Sequence, residues 1–500
     1  MASNRTKKRR RATLQATTRR APKVFLGTKW DVARNVPDMD WRYSDGRSAD
    51  LSLSYEVRKR VRERARYEVA NNSYATGAGW SIVNAVIPNL PRLQFTPYEK
   101  SETTDALARR LERDFTSWAK EVGLFEKLRS MRFAKFQDGE SFAVLHENQK
   151  LSASVKLDFS PLDCERVTNI DQLGSGGLLY DPKDVDGIKL DDWGNVVSYR
   201  VLTHNPADFN AVELDAKTYK ADKVLHWFRR RTAEQHRGIS ELAPSLMLLS
   251  YLRRYTYSVV RASEIAADLA LILKTNDVDV YGSNEAPLES PIIETNFSRG
   301  STVTLPEGFD ATQLKAEQPT AQFSTLVDEL LGAVGASLGL PRLVMRKSAS
   351  GFTYASARVD LSEMERFIAI EREELEDSVL GKLFKAYLKE WSLVNRLTLP
   401  EASVSWYFAE SIGNKIDPNK EATAQQVRLA NGTTTLSAEY SAQGKDWEEE
   451  LEQRAKELKK IKELEELYNV NFTNSPTAQT SDGGEVDDSE GKEGDNEEKE

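Results

Sequence analysis

Residues 223–249 read KVLHWFRRRTAEQHRGISELAPSLMLL, and two kinds of secondary structure meet in them. Lys223–Phe228 is a short aliphatic and aromatic run, the composition of a strand. Three arginines, Arg229, Arg230 and Arg231, end it. After Gln235, Arg237 and Gly238, Ser240 stands as an N-cap, with Glu241 behind it. Pro244 falls in the first turns, where a missing N–H costs no hydrogen bond. The pattern predicts a helix from Ser240 to about Lys274, rich in alanine (Ala262, Ala266, Ala267, Ala270). At 1.5 Å per residue such a rod is roughly 45–50 Å long.

On the N-terminal side, residues 50–86 and 103–136 predict helices. The first has Val57, Val61 and Tyr67 among its charges; the second has Leu107, Leu111, Phe115, Trp118, Leu124, Leu128 and Phe133 at helical spacing. Strands are expected at Ser141–His146, Val155–Phe159 and Val196–Thr203, with turns at Asp138-Gly139 and Asp192-Trp193-Gly194. On the C-terminal side, a helix over 320–338 carries Gly332, Ala333, Gly335 and Ala336, small residues that suit close approach of a neighbour. Pro341 ends it, and a polar loop, Arg342–Thr353, leads to a helix over 355–391 and a strand, Val404–Phe408. The last helix, 446–468, has Leu451, Leu458, Ile461, Leu464 and Leu467 among Glu and Lys.

The 500 residues suffice for about two to four domains. One cysteine, Cys164, allows no intramolecular disulfide and fits a reducing cytoplasm; it reads as a small core residue. No apolar stretch reaches the ~20 residues of a membrane helix, and no apolar run follows the basic N-terminus as in a secretory leader. The expectation is a chain with no membrane partner, folding in the cytoplasm where it is made. Residues 1–23 hold nine basic groups and no acid, whereas 471–500 hold ten acids and two lysines. Both read as disordered, the first either touching nucleic acid or simply solvated. The body between them is left with −10, a poor surface for tight DNA binding but suited to one that DNA slides past.

Enzyme signatures are missing. Gly381-Lys382-Leu383 and Gly444-Lys445-Asp446 both fail the phosphate-loop pattern, and no nucleophile elbow or His-Glu-x-x-His occurs. His146, His204, His226 and His236 are scattered and read as structural. Asp138-Gly139-Glu140 reads as a tight turn before a strand rather than an acid–base pair. No catalytic residue, metal site or cofactor is expected.

The opening segment resembles the signature of lambda-like phage portal proteins, in which an aromatic and basic strand end precedes Gln-x-Arg-Gly and a helix beginning near a proline. The positions are Phe228, Arg229, Arg231, Gln235, Arg237, Gly238 and Pro244. Further segments follow in the family's order: Asn71-Asn72-Ser73-Tyr74-Ala75 with Gly77; Asp138-Gly139-Glu140 with Phe142; Leu305-Pro306-Glu307-Gly308; Leu338-Gly339-Leu340-Pro341; Phe352–Arg358; Asp417-Pro418 with Lys420-Glu421; Gly432-Thr433-Thr434; and Gly444-Lys445-Asp446. Pro88 departs from the pattern, and 276–300 carries no such motif.

The resemblance implies an α+β portal fold with long stem helices, an α/β wing, a small β-containing clip and a helical crown, assembled as a ring. It divides the chain into a basic arm (1–23), wing (24–240), stem helix (241–274), clip (275–319), second stem helix (320–340), tunnel loop (341–354), long helix and returning wing (355–416), crown (417–470) and acidic tail (471–500). It implies a dodecamer at one capsid vertex of the virion, passing double-stranded DNA without sequence preference. Expected partners are the large terminase, head-completion or adaptor proteins, the major capsid protein and scaffolding protein. Arg342, Arg346, Lys347, Ser348 and Ser350 are the candidates for DNA contact. Arg229, Arg230, Arg231 and Arg237 are candidates for subunit-interface or wing ion pairs. The alternative is another virion structural protein, a minor capsid or connector component.

Overall fold

A computed structural model describes residues 46–99, 101–169, 181, 183–208, 215–267, 271–275, 309–313, 322–409, 418–443, 445 and 447–468. The basic arm, the acidic tail and most of the clip lie outside the described residues. From Ala49 onward the chain forms one compact unit.

The first helices are α1 (Ala49–Ser52), α2 (Tyr55–Asn71) and α3 (Ser73–Val86). The single helix expected over 50–86 breaks at Asn72, whose side chain accepts from Tyr74 N at 3.1 Å and so caps α3. The face of α2 is also not the expected one. Val57 and Tyr67 are exposed while Arg58, Arg62 and Glu68 are buried, because charged partners far along the chain wait on the inner side. β1 (Arg92–Pro97) follows, then α4 (Glu102–Glu121) and α5 (Leu124–Asp138), divided at Gly123 where the apolar spacing predicts one helix.

β2 (Glu140–Glu147) is the centre of a three-stranded antiparallel sheet, between β3 (Leu157–Leu162) and β8 (Val224–Phe228). A second sheet runs β4 (Asp184–Val185), β5 (Ile188–Leu190), β6 (Val196–Leu202), β7 (Ala216–Lys220). α6 covers Leu246–Ala267 after a single 3-10 turn at Ala243–Ser245. The predicted stem helix of 241–274 is therefore too long at both ends. Ser240 caps only a local turn, its hydroxyl accepting from Leu242 N at 3.2 Å. At the other end β9 (Leu271–Thr275) pairs antiparallel with β10 (Phe309–Gln313). The helix is about 33 Å long at 1.5 Å per residue.

α7 (Phe323–Leu338) and α8 (Arg342–Arg346) come next, then α9 (Tyr354–Leu375), a π-helical turn (Glu376–Leu380) and α10 (Gly381–Asn395). The predicted tunnel loop thus begins with a turn of helix; only Lys347–Thr353 is non-helical. β11 (Ala402–Tyr407) pairs with β1, its partner from the opposite end of the fold. α11 (Pro418–Ala430), α12 (Leu436–Ala442) and α13 (Trp447–Tyr468) complete the described chain, with Leu458 and Leu467 of α13 exposed.

One core joins the two halves of the sequence. Phe115 and Trp118 of α4 meet Phe384 and Tyr387 of α10 and Trp406 of β11, with ring centroids 4.8–5.7 Å apart in each of these cross-half pairs. Each such ring removes roughly 150–250 Å² from water, about 4–6 kcal/mol gross before ordering costs. Two buried indoles of this core are also satisfied: Trp118 Nε1 donates to Leu157 O (2.8 Å) and Trp391 Nε1 to Asp114 (3.0 Å).

Candidate nucleic-acid interface

The segment after Pro341 holds the basic residues singled out for DNA contact. Pro341 starts α8 as its N-cap, and Lys347, in the left-handed region at φ 56°, ends it. The two cations at this boundary point back into the protein. Arg346 donates to Asp328 (2.8 Å) and to Ser324 Oγ (3.3 Å) on α7. Lys347 Nζ donates to Ser81 Oγ on α3. Arg342 is 48% exposed, lies over the Phe352 ring and has only a 3.9 Å approach to Glu329. Ser350 sits at the exposed apex and Ser348 half-buried beside it, bridged by the Ser350 N–H to Ser348 Oγ bond of 3.3 Å. Thr353 then opens α9 with a capping box shared with Ser356.

The residues between β8 and α6 hold two buried ion networks. In the first, Arg237 donates to both Glu140 oxygens (2.7 and 3.1 Å), to Asp186 Oδ2 (3.2 Å) and to the carbonyl of Val167 (2.9 Å). Arg62 meets Glu140 at 2.5 Å, and Arg58 pairs with Asp186. Burial alone would raise the Glu140 pKa, but Arg237, the His226 hydrogen bond and Arg62 together hold it well below the usual carboxylate range. His226 is stacked between Phe142 and Phe228, and burial drives its pKa down to about 4. It is neutral, able to donate from Nε2 to Glu140 (3.3 Å) and to accept at Nδ1 from Tyr199 OH (3.4 Å).

In the second network Arg132 and Lys135 of α5 face Glu371 and Glu374 of α9, with Arg132 also reaching Glu241 at 3.1 Å. Arg229 pairs with Glu371 and lies 3.5 Å from Glu374. Burial would raise the Glu371 pKa; Arg132, Lys135 and Arg229 more than reverse this and lower it. Arg231 donates to Ser240 O (3.3 Å), and Arg230 lies over Phe228. Gln235 orders the turn between them, accepting from Arg231 N (2.8 Å) and donating to Arg237 O (2.7 Å). Gly238 N donates to Glu140 (2.9 Å), and the backbones around Gly139 and Gly238 touch, with no room for a Cβ on either glycine.

These contacts give each residue of the Gln-x-Arg-Gly segment a physical task, and residues 38–372 match the model of the family described as phage portal protein, lambda family. The chain belongs to that family. It is also 26% identical over 160 residues to the portal protein of Escherichia phage N15, a match covering 30% of each chain. The chain thus spans under a third of that relative's length. Solved structures with a similar backbone include the neck of the native gene transfer agent particle computed with C12 symmetry, at 14% identity, TM-score 0.39, over 74% of this chain and 88% of that one. Another is the neck of the empty particle computed with C6 symmetry, at 14% identity, TM-score 0.40, over 80% and 94%.

Among the described residues no helix is long and apolar enough to cross a membrane, and no group of three or more His, Cys, Asp or Glu is placed to hold a metal ion. Cys164 is buried, which pushes its thiol pKa up. The portal signature therefore works here as an organising joint: it ties the α5–β2 turn, the β4–β5 hairpin and α9 to the start of α6. Sequence reasoning found its residues but not their partners, because Arg58, Arg62 and Asp186 carry no local sign of burial.

His236, next to that joint, carries a pH-dependent contact. Its Nδ1 lies 2.7 Å from Asp50 Oδ2 and its Nε2 3.2 Å from Gly194 O. Both partners are acceptors, so the ring is satisfied only with both nitrogens protonated. The Asp50 hydrogen bond leads in raising its pKa above the ordinary value. The resulting stabilisation is complete below about pH 6.5, the unfolded value, and is lost as pH rises through the higher folded value. The melting-temperature gap between the protein and His236→Asn should therefore shrink from pH 6 towards alkaline pH. A gap that stays constant or widens would contradict the assignment.

Proposed function

We propose that the chain assembles as a dodecameric ring at one capsid vertex of a phage virion and forms the channel for double-stranded DNA during packaging and ejection. Family membership over residues 38–372 is the observation that carries this reading. In it α6 and α7 are the stem helices, the segment between them is the clip that meets the large terminase and later head-completion proteins, and 417–470 is the crown. Capsid and scaffolding proteins surround the wing, and the chain acts as a structural component rather than an enzyme.

The loop geometry supports a division of labour at the constriction. A conduit must hold the polymer loosely, since every neutralised phosphate adds salt-dependent affinity. Arg346 and Lys347 are engaged with Asp328 and Ser81 and set the base of the loop. Arg342, with its distant partner, and the hydroxyls of Ser348 and Ser350 are left for phosphate oxygens, a contact that carries no base information.

Negative-stain images of the purified protein should show closed rings with a central hole. The variant Arg342→Gln should leave those rings intact and lower the DNA packaged per capsid several-fold in a terminase-driven assay. Unchanged packaging in rings of normal appearance would remove the loop from the mechanism.

A further inference from the structure

Polar atoms buried without a hydrogen-bond partner are not spread evenly through this protein. Among the described residues six side-chain nitrogen and oxygen atoms are in that condition, and five of them belong to Arg132, Ser141, Trp227 and Glu241. All four residues are buried, and they form one neighbourhood. Arg132 Nη2 donates to Glu241 Oε2 at 3.1 Å, and the guanidinium lies 5.9 Å from the centre of the Trp227 ring. Lys135 Nζ lies 5.1 Å from the same centre and 3.9 Å from Glu241 Oε1. Ser141 stands directly opposite Trp227 in the β2–β8 register, so the two side chains share one face of the sheet. Glu241 is anchored beside them by its N–H, which donates to Phe136 O of α5 (3.2 Å).

Of the five atoms, Arg132 Nε is already in an ion pair, 3.0 Å from Glu371 Oε2. The other four divide by chemistry. Arg132 Nη1 and Trp227 Nε1 can only donate, Glu241 Oε1 can only accept, and Ser141 Oγ can do either. Left dry, each would lose its hydration with nothing in return. The charges around them cancel, because Arg132, Lys135 and Arg229 face Glu241, Glu371 and Glu374. A halide would satisfy the donors but meet Glu241 as a like charge. A metal cation would meet the guanidinium and the ammonium. A small neutral molecule that both donates and accepts suits every atom of the set. It also has a way in. Arg132 and Glu371 are inaccessible, but Arg229 and Glu374, at the outer end of the same network, are each about one-third exposed, and Glu374 lines a groove beside α10.

We infer that the seat of α6 is a water-binding site: a cluster of internal water molecules joins Glu241 Oε1 to Trp227 Nε1, Arg132 Nη1 and Ser141 Oγ. A buried water commonly holds about three protein partners and is costly to remove. The link between β8, α5 and the residues leading into α6 is then partly solvent, whereas Glu140 and Arg237 beside it are closed by direct contact.

A crystal or cryo-electron microscopy map of the unaltered protein, sharp enough to show ordered solvent, tests this. It should contain solvent peaks within hydrogen-bond distance of both Trp227 Nε1 and Glu241 Oε1, and soaking in bromide should leave them unreplaced. Absence of such peaks, direct closure of Trp227 Nε1 on the Glu241 carboxylate, or bromide at these positions would overturn the site. Ser141→Ala supplies an energetic test with the fewest atoms changed. Losing a hydroxyl held by water should lower the folding equilibrium constant about fivefold, the cost of one ordinary hydrogen bond. An unchanged or larger constant would mean that the hydroxyl had no partner to lose, and would remove it and the cluster it completes.

Discussion

Arg237→Ala should destabilise the protein by about 3–5 kcal/mol, the cost of leaving buried charges without their partner. The arginine is inaccessible and its guanidinium serves Glu140, Asp186 and two backbone carbonyls at once. Its removal leaves Glu140 to Arg62 and His226, and leaves the carbonyls of Val167 and Asp186 facing a cavity. For a body of this size the melting temperature should fall by roughly 3–6 °C. Combining Arg237→Ala with Glu140→Leu should cost less than the two changes added, since each single change strands what the double change removes. The pH dependence follows from the depressed Glu140 pKa. Its stabilisation is present above the ordinary glutamate value of about 4.3 and disappears as pH falls through the lower folded value. Melting curves at descending pH should therefore converge for the protein and Arg237→Ala. Parallel curves, or a loss of under about 1 °C at neutral pH, would mean that the network is not what holds this joint.

Much of the helical scaffold was legible because packing imposes a 3.6-residue spacing on apolar side chains, and α4, α5, α7 and α10 obey it. Their ends were less so. The break at Asn72 depends on one side chain capping a new helix, and the early end of α6 depends on β9 finding its partner in the distant β10. The pairing of β1 with β11 has no local signature at all. At the candidate site the residue types were visible and their orientations were not. Arg346 and Lys347 look like free cations in a polar loop, but the helical turn of α8 aims them at Asp328 and Ser81. On α2 the apolar residues suggest the inner face, yet the arginines occupy it, because Glu140 and Asp186 offset the cost of burying them.

Gly238→Ala should abolish folding rather than weaken it. A Cβ at this position would lie 2.2 Å from the carbonyl oxygen of Gly139 and 2.7 Å from its carbonyl carbon. In return, a Cβ on Gly139 would lie 2.0 Å from the carbonyl carbon of Ile239 and 2.3 Å from Ser240 N, with φ at +93°. Both obstacles are backbone, so no rotamer change relieves them. Opening the gap to ordinary contact requires the two strands of chain to part by about 1 Å, a separation that packed cores do not absorb smoothly. That movement would also pull apart the Gly238 N–Glu140 bond (2.9 Å), the Glu241 N–Phe136 O bond (3.2 Å) and, with them, both ion networks. Losses above about 4–5 kcal/mol are exceptional for single substitutions and mark this kind of site. Gly351→Ala supplies the control. Its φ is +84°, but a Cβ there meets nothing within 4 Å, so only the left-handed conformation is penalised, at about 1–2 kcal/mol. Soluble yield and thermal melting should therefore separate the two alanines sharply. If Gly238→Ala melts within a few degrees of Gly351→Ala, the two glycines do not set the approach of the α5–β2 turn to the start of α6.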